Sequence, residues 1–140
     1  MIVNNNHYYY FFYLIITQLP YSPMSSLPVK THTELEALAR AVRRGEQPGS
    51  PALLWRYLQM NNERAYRQPE ASRRGVHYQA FETLLETICD SAVSRHWRCL
   101  CLDHIYRPLF AIQRLSKEPG QQRQVRQLYR ELSTLSRYFL

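Results

Sequence analysis

The sequence predicts an all-α protein, an irregular bundle of four to five helices that follows a non-globular N-terminal stretch. Beyond position 33, apolar residues recur mainly at three- and four-residue steps, which is the period of an amphipathic helix. Proline and glycine divide these runs into segments, and the chain shows neither a convincing strand pattern nor an internal repeat. Since 140 residues suffice for one ordinary domain, we expect residues 24–140 to form a single helical domain.

Residues 1–23 differ in composition from the rest of the chain. They are crowded with Asn, Tyr, Phe and Ile, which have AT-rich codons, whereas Arg, Leu, Ala, Gln and Glu dominate later positions. The change falls at Met24, a second possible start, so we interpret residues 1–23 as a mistranslated leader or as a disordered or apolar extension. A membrane anchor or signal peptide is the alternative, because Tyr8 to Leu19 is apolar, but this run is too short to span a bilayer.

The first two helices are predicted from their end signals. A capping box at residues 33–36, with Thr33 as the N-cap, is expected to begin the first helix, and Gly45 to end it. Ser50, an N-cap residue followed by proline at the first helical position, begins the second helix, which should extend to about Tyr66.

The later elements are bounded by proline and glycine. Residues 68–75 are polar and contain both residue types, which predicts the main loop, and a third helix follows with a core stripe from Phe81 to Ile88. The chain should turn and restart around Ser94, with a kink or restart at Pro108. The pair at positions 119–120, proline and glycine, is expected to stop that helix. The last helix carries apolar residues at Val125, Leu128, Leu132, Leu135 and Phe139.

The charge of the chain is positive and comes mostly from arginine. All charged residues lie beyond position 23, and 18 Lys and Arg against 11 Asp and Glu give a net charge of +7. The arginines are dispersed along the chain, with no dense basic run and no RNA-recognition, zinc-finger or helix-turn-helix pattern. We therefore expect solvated helix faces, with weak nucleic-acid binding as a further alternative.

A metal or haem site is a second possibility, in the segment from Arg95 to His104. On a helix, Cys99 and Cys101 project about 200° apart and cannot hold one ion together. Cys101 and His104 are three residues apart and could bind iron, zinc or haem with help from His96 or Cys89. The alternative is that Cys101 is a small buried apolar residue and His104 a core histidine. Because paired ligand spacings are absent, we expect no cofactor.

Catalysis is not expected of this chain. Cysteine and histidine residues this close on one helix point apart, whereas a catalytic triad needs side chains that converge from different elements. The chain contains no nucleophile elbow, phosphate-binding loop or paired-carboxylate motif. Its three cysteines form an odd set without a credible secretory signal, which favours reduced thiols in a cytoplasm.

Four short motifs carry a family resemblance. They are His96-Trp97-Arg98, Cys101-Leu102-Asp103, Arg107-Pro108-Leu109 and Gln113-Arg114-Leu115. This run resembles the FagA family, small iron-regulated proteins of pseudomonads encoded beside a class II fumarase and a manganese superoxide dismutase. The resemblance extends more loosely back to Phe81 and covers about a third of the chain. It implies expression during iron starvation and provides no catalytic residue.

The N-terminal stretch agrees with that implication. The run from Asn4 to Tyr10 can be encoded by AAT and CAT triplets followed by TAT triplets, which is similar to the operator of the ferric uptake regulator. We therefore expect a cytoplasmic accessory or interaction protein of the iron-starvation response. Its partner would be an unidentified protein, with nucleic acid unlikely and no membrane unless residues 1–23 are genuine. The predicted contact residues are His96, Trp97, Arg98, Asp103 and Arg107.

Overall fold

The computed structural model describes residues 30–140, so the interpretation of residues 1–23 and of Met24 as the start lies outside the described residues. This part of the chain forms six helical segments and no strand, which confirms the predicted all-α irregular bundle. The segments are α1 (Lys30–Arg44), α2 (Pro51–Arg67), α3 (Glu70–Ile88), α4 (Arg95–His104), α5 (Tyr106–Leu115) and α6 (Pro119–Phe139).

Helix α1 begins earlier than predicted and ends where predicted. Its described part begins at Lys30, so Thr33 lies within the helix and the predicted N-cap is wrong. Gly45 ends α1 in the left-handed region at φ +60°, which glycine adopts without strain. A Cβ atom at this position would lie 2.8 Å from Val93 Cγ1 and 3.1 Å from Trp97 Cδ1. Glycine therefore permits both the turn and the close approach of α4.

The prediction of a loop over residues 68–75 is wrong, because α3 already begins at Glu70. Arg73 donates through Nε to the Gln68 carbonyl at 3.1 Å, which ties the first turns of α3 to the preceding connection. Arg74 donates to Ser116 Oγ at 2.9 Å and so fixes the same turns to the far side of the bundle. These tertiary hydrogen bonds thus stabilise the helical conformation of a polar segment that has little apolar surface to bury.

The interruption expected near Pro108 is present three residues earlier in the chain, at Ile105. Proline has no N–H to donate, and its ring would collide with the carbonyl four residues before it, that of His104. Helix α4 accordingly ends at His104 and α5 begins at Tyr106. Ile105 between them is fully buried. One predicted helix is therefore divided into two consecutive segments.

The proline and glycine at positions 119–120 have the opposite role from the one predicted. Helix α5 has already ended at Leu115, and Pro119 lies in the first turn of α6, where its missing N–H is not needed. Glu118 and Gln121 form a capping box around this turn. The predicted stop signal is therefore a start signal.

Helix α3 is the centre of the bundle, since it packs against all five other described helices. The core around it contains Trp97, Phe81, Leu54, Leu84, Ile88, Ile105, Leu109, Ile112 and Leu132, each less than 2% exposed. Seven residues of α3 are buried, among them the polar His77 and Thr87. Within residues 30–140, no helix combines the length and the apolar character needed to cross a membrane.

Candidate functional site

The predicted contact segment lies on α4, and the local sequence decides which side of it faces the core. Ser94 caps the helix, its Oγ accepting a hydrogen bond from the Trp97 N–H at 3.4 Å. Trp97, Cys101 and Ile105 follow at four-residue steps and are all 0% exposed. His96 and Asp103 lie on the opposite side and are exposed. The core and the solvent-facing sides of α4 are therefore clearly separated.

Trp97 does not lie on the predicted interaction surface, so this part of the prediction is wrong. Its indole is fully buried, and Nε1 donates to the Val42 carbonyl at 2.9 Å. That carbonyl belongs to the last turn of α1 and also accepts a hydrogen bond from the Gly45 N–H at 3.2 Å. Trp97 thus joins α4 to α1 within the core.

Arg98 is half-buried and mainly connects elements of the fold. Its Nε donates to the Val93 carbonyl at 3.0 Å, and its Nη1 donates to the Phe139 carbonyl at 2.8 Å. Arg95, one turn earlier, donates to the Leu140 carbonyl at 3.0 Å. These two arginines satisfy carbonyls at the end of α6, where the helix dipole also favours positive charge.

Trp55 of α2 contacts one residue of α4 and one of α5 at the protein surface. Its ring is 37% exposed, and the Arg107 guanidinium carbon lies 4.4 Å from the ring centroid. The His104 ring meets it edge-on at 4.9 Å between centroids. Burial lowers the pKa of His104, and Arg107 lowers it further while Asp103 opposes the change. We call the surface formed by Trp55, Asp103, His104 and Arg107 the Trp55 face.

The Trp55 face includes two of the predicted contact residues, Asp103 and Arg107. His96 lies two helical turns before Asp103, on the same side of α4. Trp55 was missing from the predicted set, since it is about fifty positions away in sequence. The only sequence signal was an aromatic residue beside Arg56, which does not reveal the contact with Arg107. That contact arises because the Trp55 side chain of α2 reaches His104 of α4 and Arg107 of α5.

The four predicted metal ligands are not assembled into one site. Cys101 is fully buried, and desolvation raises the pKa of its thiol to about 12. Cys89 caps the end of α3, where burial raises its pKa. His96 is exposed, while His104 packs against Trp55. In the described part of the chain, no group of three or more His, Cys, Asp or Glu residues could hold a metal ion.

The state of these thiols also bears on catalysis. The thiolate is the form that attacks electrophiles and binds metals. With its pKa raised to about 12, Cys101 remains a neutral thiol at physiological pH. The full burial of Cys101 agrees with the alternative prediction that it is a small buried apolar residue. Such a group packs the core and has no access to a substrate.

A groove of about 340 Å³, lined by both polar and apolar side chains, lies between α1, α2 and α3. Tyr57 and Asn61 contribute to its lining, and both side chains are buried. Asn61 donates through Nδ2 to the Val76 carbonyl at 3.3 Å, and Arg64 donates to Gln79 Oε1 at 3.5 Å. These hydrogen bonds join α2 to α3, so the polar groups of the groove serve the packing of the bundle.

Comparison of the chain with protein-family models, curated proteins and solved structures finds no match. The resemblance to the FagA family therefore stays a prediction that rests on the four motifs of α4 and α5.

Proposed function

We propose that this chain is a small cytoplasmic accessory protein of the iron-starvation response that acts by contacting a protein partner and does not catalyse a reaction. The observation that carries the contact is the arrangement of Trp55 under Arg107 and beside His104. Tryptophan and arginine are the residue types most enriched among the strongly contributing positions of protein interfaces. Here the two types lie together on an accessible surface.

The geometry of the Trp55 face also lowers the cost of binding. Arg107 covers one side of the indole, and His104 meets it edge-on, so the ring is held in place before any partner arrives. Ordering a flexible side chain on association costs roughly 0.5–1.5 kcal/mol, which a preformed anchor avoids. Asp103 and His96 are exposed polar residues on one side of α4, and polar residues are usual at the edge of an interface.

The link to iron starvation rests on the sequence. The FagA-like motifs occupy α4 and α5, which include most of the Trp55 face. The AT-rich codons expected for Asn4 to Tyr10 provide a second argument. Abundance of the chain should therefore rise when an iron chelator is added to the native host. Equal abundance with and without the chelator would contradict this part of the proposal, and AAC or TAC codons would remove the operator argument.

Site-specific photo-crosslinking tests the partner contact. A photoreactive amino acid is placed at Asp103 in the full chain, and a second version carries it at Gln122, an exposed position on α6. In iron-starved cells, we expect one crosslinked protein of constant mass from position 103 and none from position 122. The same pattern from both positions would indicate nonspecific collision and would refute the Trp55 face as the contact.

Substitutions then connect the crosslink to the anchor. Trp55→Ala should weaken partner binding by roughly 30-fold, corresponding to about 2 kcal/mol for a strongly contributing interface residue. Tyr66→Ala is the matched control, because Tyr66 is also exposed and also lies under an arginine, Arg73, at 5.3 Å. It should leave the crosslink unchanged. Loss of the crosslink in both variants, or in neither, would contradict the proposal.

A further inference from the structure

Four arginines of α6 that are scattered in the sequence form a single stripe on the surface. Arg123, Arg126, Arg130 and Arg137 are all exposed. At 100° per residue, they fall within an arc of about 60° on the helix, opposite the side that buries Val125, Leu128 and Leu132. Their positions span 14 residues, or about 21 Å along the axis. We call this set the α6 arginine stripe.

The charge of the stripe is not neutralised by the protein. Within residues 30–140, no salt bridge joins any of the four arginines to a carboxylate. On other helices, Arg43 has two salt bridges, and Arg44 and Arg56 have one each. Glu131 is the single acidic residue within α6. It lies outside the arc and accepts a hydrogen bond from Gln127 Nε2 at 3.0 Å. A row of positive charge is therefore available to an external anion.

The side chains around the stripe indicate which class of partner it can bind. Gln127, Ser133 and Thr134 lie beside the arginines, and all three are exposed and polar. A protein interface needs an apolar or aromatic anchor near its centre, and a helix that lies in a membrane surface needs apolar residues to insert. The stripe has neither. Phosphate groups require only cations and hydrogen-bond donors, which are what the stripe provides.

The same composition favours a duplex over a single strand. Single-stranded nucleic acids are bound by stacking their bases on aromatic rings. Exposed Tyr138, at the end of α6, lies outside the arc and meets the Phe139 ring edge-on at 4.9 Å. A duplex presents one phosphate charge per about 1.7 Å of its axis, so its backbone can supply an oxygen to each guanidinium of the stripe.

We infer that the α6 arginine stripe binds the phosphate backbone of double-stranded nucleic acid without sequence preference. This surface is separate from the Trp55 face, and the inference does not depend on the proposed protein partner. Each arginine that contacts a phosphate releases counterions, so the affinity should fall steeply with salt. Four contacts predict a slope of about −3.6 in a plot of log affinity against log salt concentration.

Fluorescence anisotropy with a labelled random-sequence DNA duplex measures this slope for the full chain. Between about 50 and 200 mM salt, four phosphate contacts predict a loss of affinity of roughly 150-fold. The variant Arg123→Gln/Arg126→Gln/Arg130→Gln should reduce the slope to about −0.9 and the loss to roughly fourfold. Circular dichroism establishes that both proteins are folded.

The matched control removes the same charge elsewhere. The variant Arg40→Gln/Arg44→Gln/Arg67→Gln changes exposed arginines of α1 and α2 and lowers the net charge equally. It should keep the wild-type slope. The inference is overturned if this control loses as much slope as the stripe variant, because net charge alone would then explain the binding. Absence of duplex binding by the wild type at low salt would also overturn it.

Two further probes separate the partner classes. Polyglutamate and vesicles containing phosphatidylserine are each added as competitors of the labelled duplex. We expect unlabelled duplex to displace the labelled duplex at a much lower concentration of negative charges than polyglutamate or the vesicles require. Equal displacement by polyglutamate would assign the stripe to an acidic protein, and equal displacement by the vesicles would assign it to a membrane surface. Either result would refute the nucleic-acid inference.

Discussion

Acid should destabilise the bundle through His77, a buried residue of the central helix α3. Burial lowers the pKa of His77 from 6.5 to about 4, and the charge of Arg114 acts in the same direction. The unfolded chain therefore binds the proton more tightly than the folded chain. Stability is greatest above the unfolded pKa near 6.5 and is lost as the pH falls toward 4.

The size of this effect follows from the two pKa values. Linkage predicts that the free energy of unfolding falls by about 2 kcal/mol between about pH 7 and pH 5 from His77 alone. The pKa of His104 is also lowered by burial, so it contributes a loss of the same sign. A variant at position 77 is needed to separate the two residues.

Urea unfolding followed by circular dichroism at both pH values provides the measurement. His77→Gln cannot titrate, so its pH-dependent loss should be smaller than that of the wild type by about 2 kcal/mol. His96→Gln is the control, since His96 is exposed on α4, and should behave like the wild type. Comparing each protein with itself at two pH values removes any constant effect of the substitution. If His77→Gln keeps the full wild-type pH dependence, the assignment to His77 is refuted.

Two other predictions concern the junction of α1 with α4. Trp97→Ala should lower the free energy of unfolding by about 3–5 kcal/mol, because it removes a fully buried ring together with its hydrogen bond to the Val42 carbonyl. A variant as stable as the wild type in urea would contradict the burial. Gly45→Ala should cost about 2 kcal/mol or more, from the positive φ and the contact with Val93. Gly75→Ala is its control and should instead stabilise α3 by about 0.5–1 kcal/mol, since Gly75 is exposed within a helix and has open space around it. Equal changes in melting temperature for Gly45→Ala and Gly75→Ala would refute this account.

The helices could be predicted from sequence because their signals are local. Apolar spacing identified the buried side of α6, and glycine or serine at a helix end identified Gly45 and Ser94. Both kinds of signal depend on neighbours within one or two turns. The burial of Cys101 was among the predicted alternatives for the same reason, since it shares a helical side with Trp97 and Ile105.

The errors arise where distant residues decide the local structure. The helix over residues 70–75 is stabilised by a hydrogen bond from Arg74 to Ser116, about forty positions away. The Trp55 face likewise requires Trp55 of α2 to reach Arg107 of α5, a contact that no spacing rule reveals. The α6 arginine stripe is a different case, since its three-, four- and seven-residue steps are visible in the sequence. The spread of arginine along the whole chain hides this spacing within the one helix.

The central position of α3 determines how the bundle can come apart. Every other described helix packs against α3, so melting this one segment would deprive all five neighbours of a shared surface. Backbone amides of α3 should therefore exchange with solvent only through global unfolding, whereas α6, which contacts only two of the described helices extensively, can open at lower free energy. Cleavage within α3 would leave fragments whose apolar sides face water. Apart from this earlier opening of α6, the helices around α3 thus behave as one cooperative unit, and neither half of that unit should persist without the other.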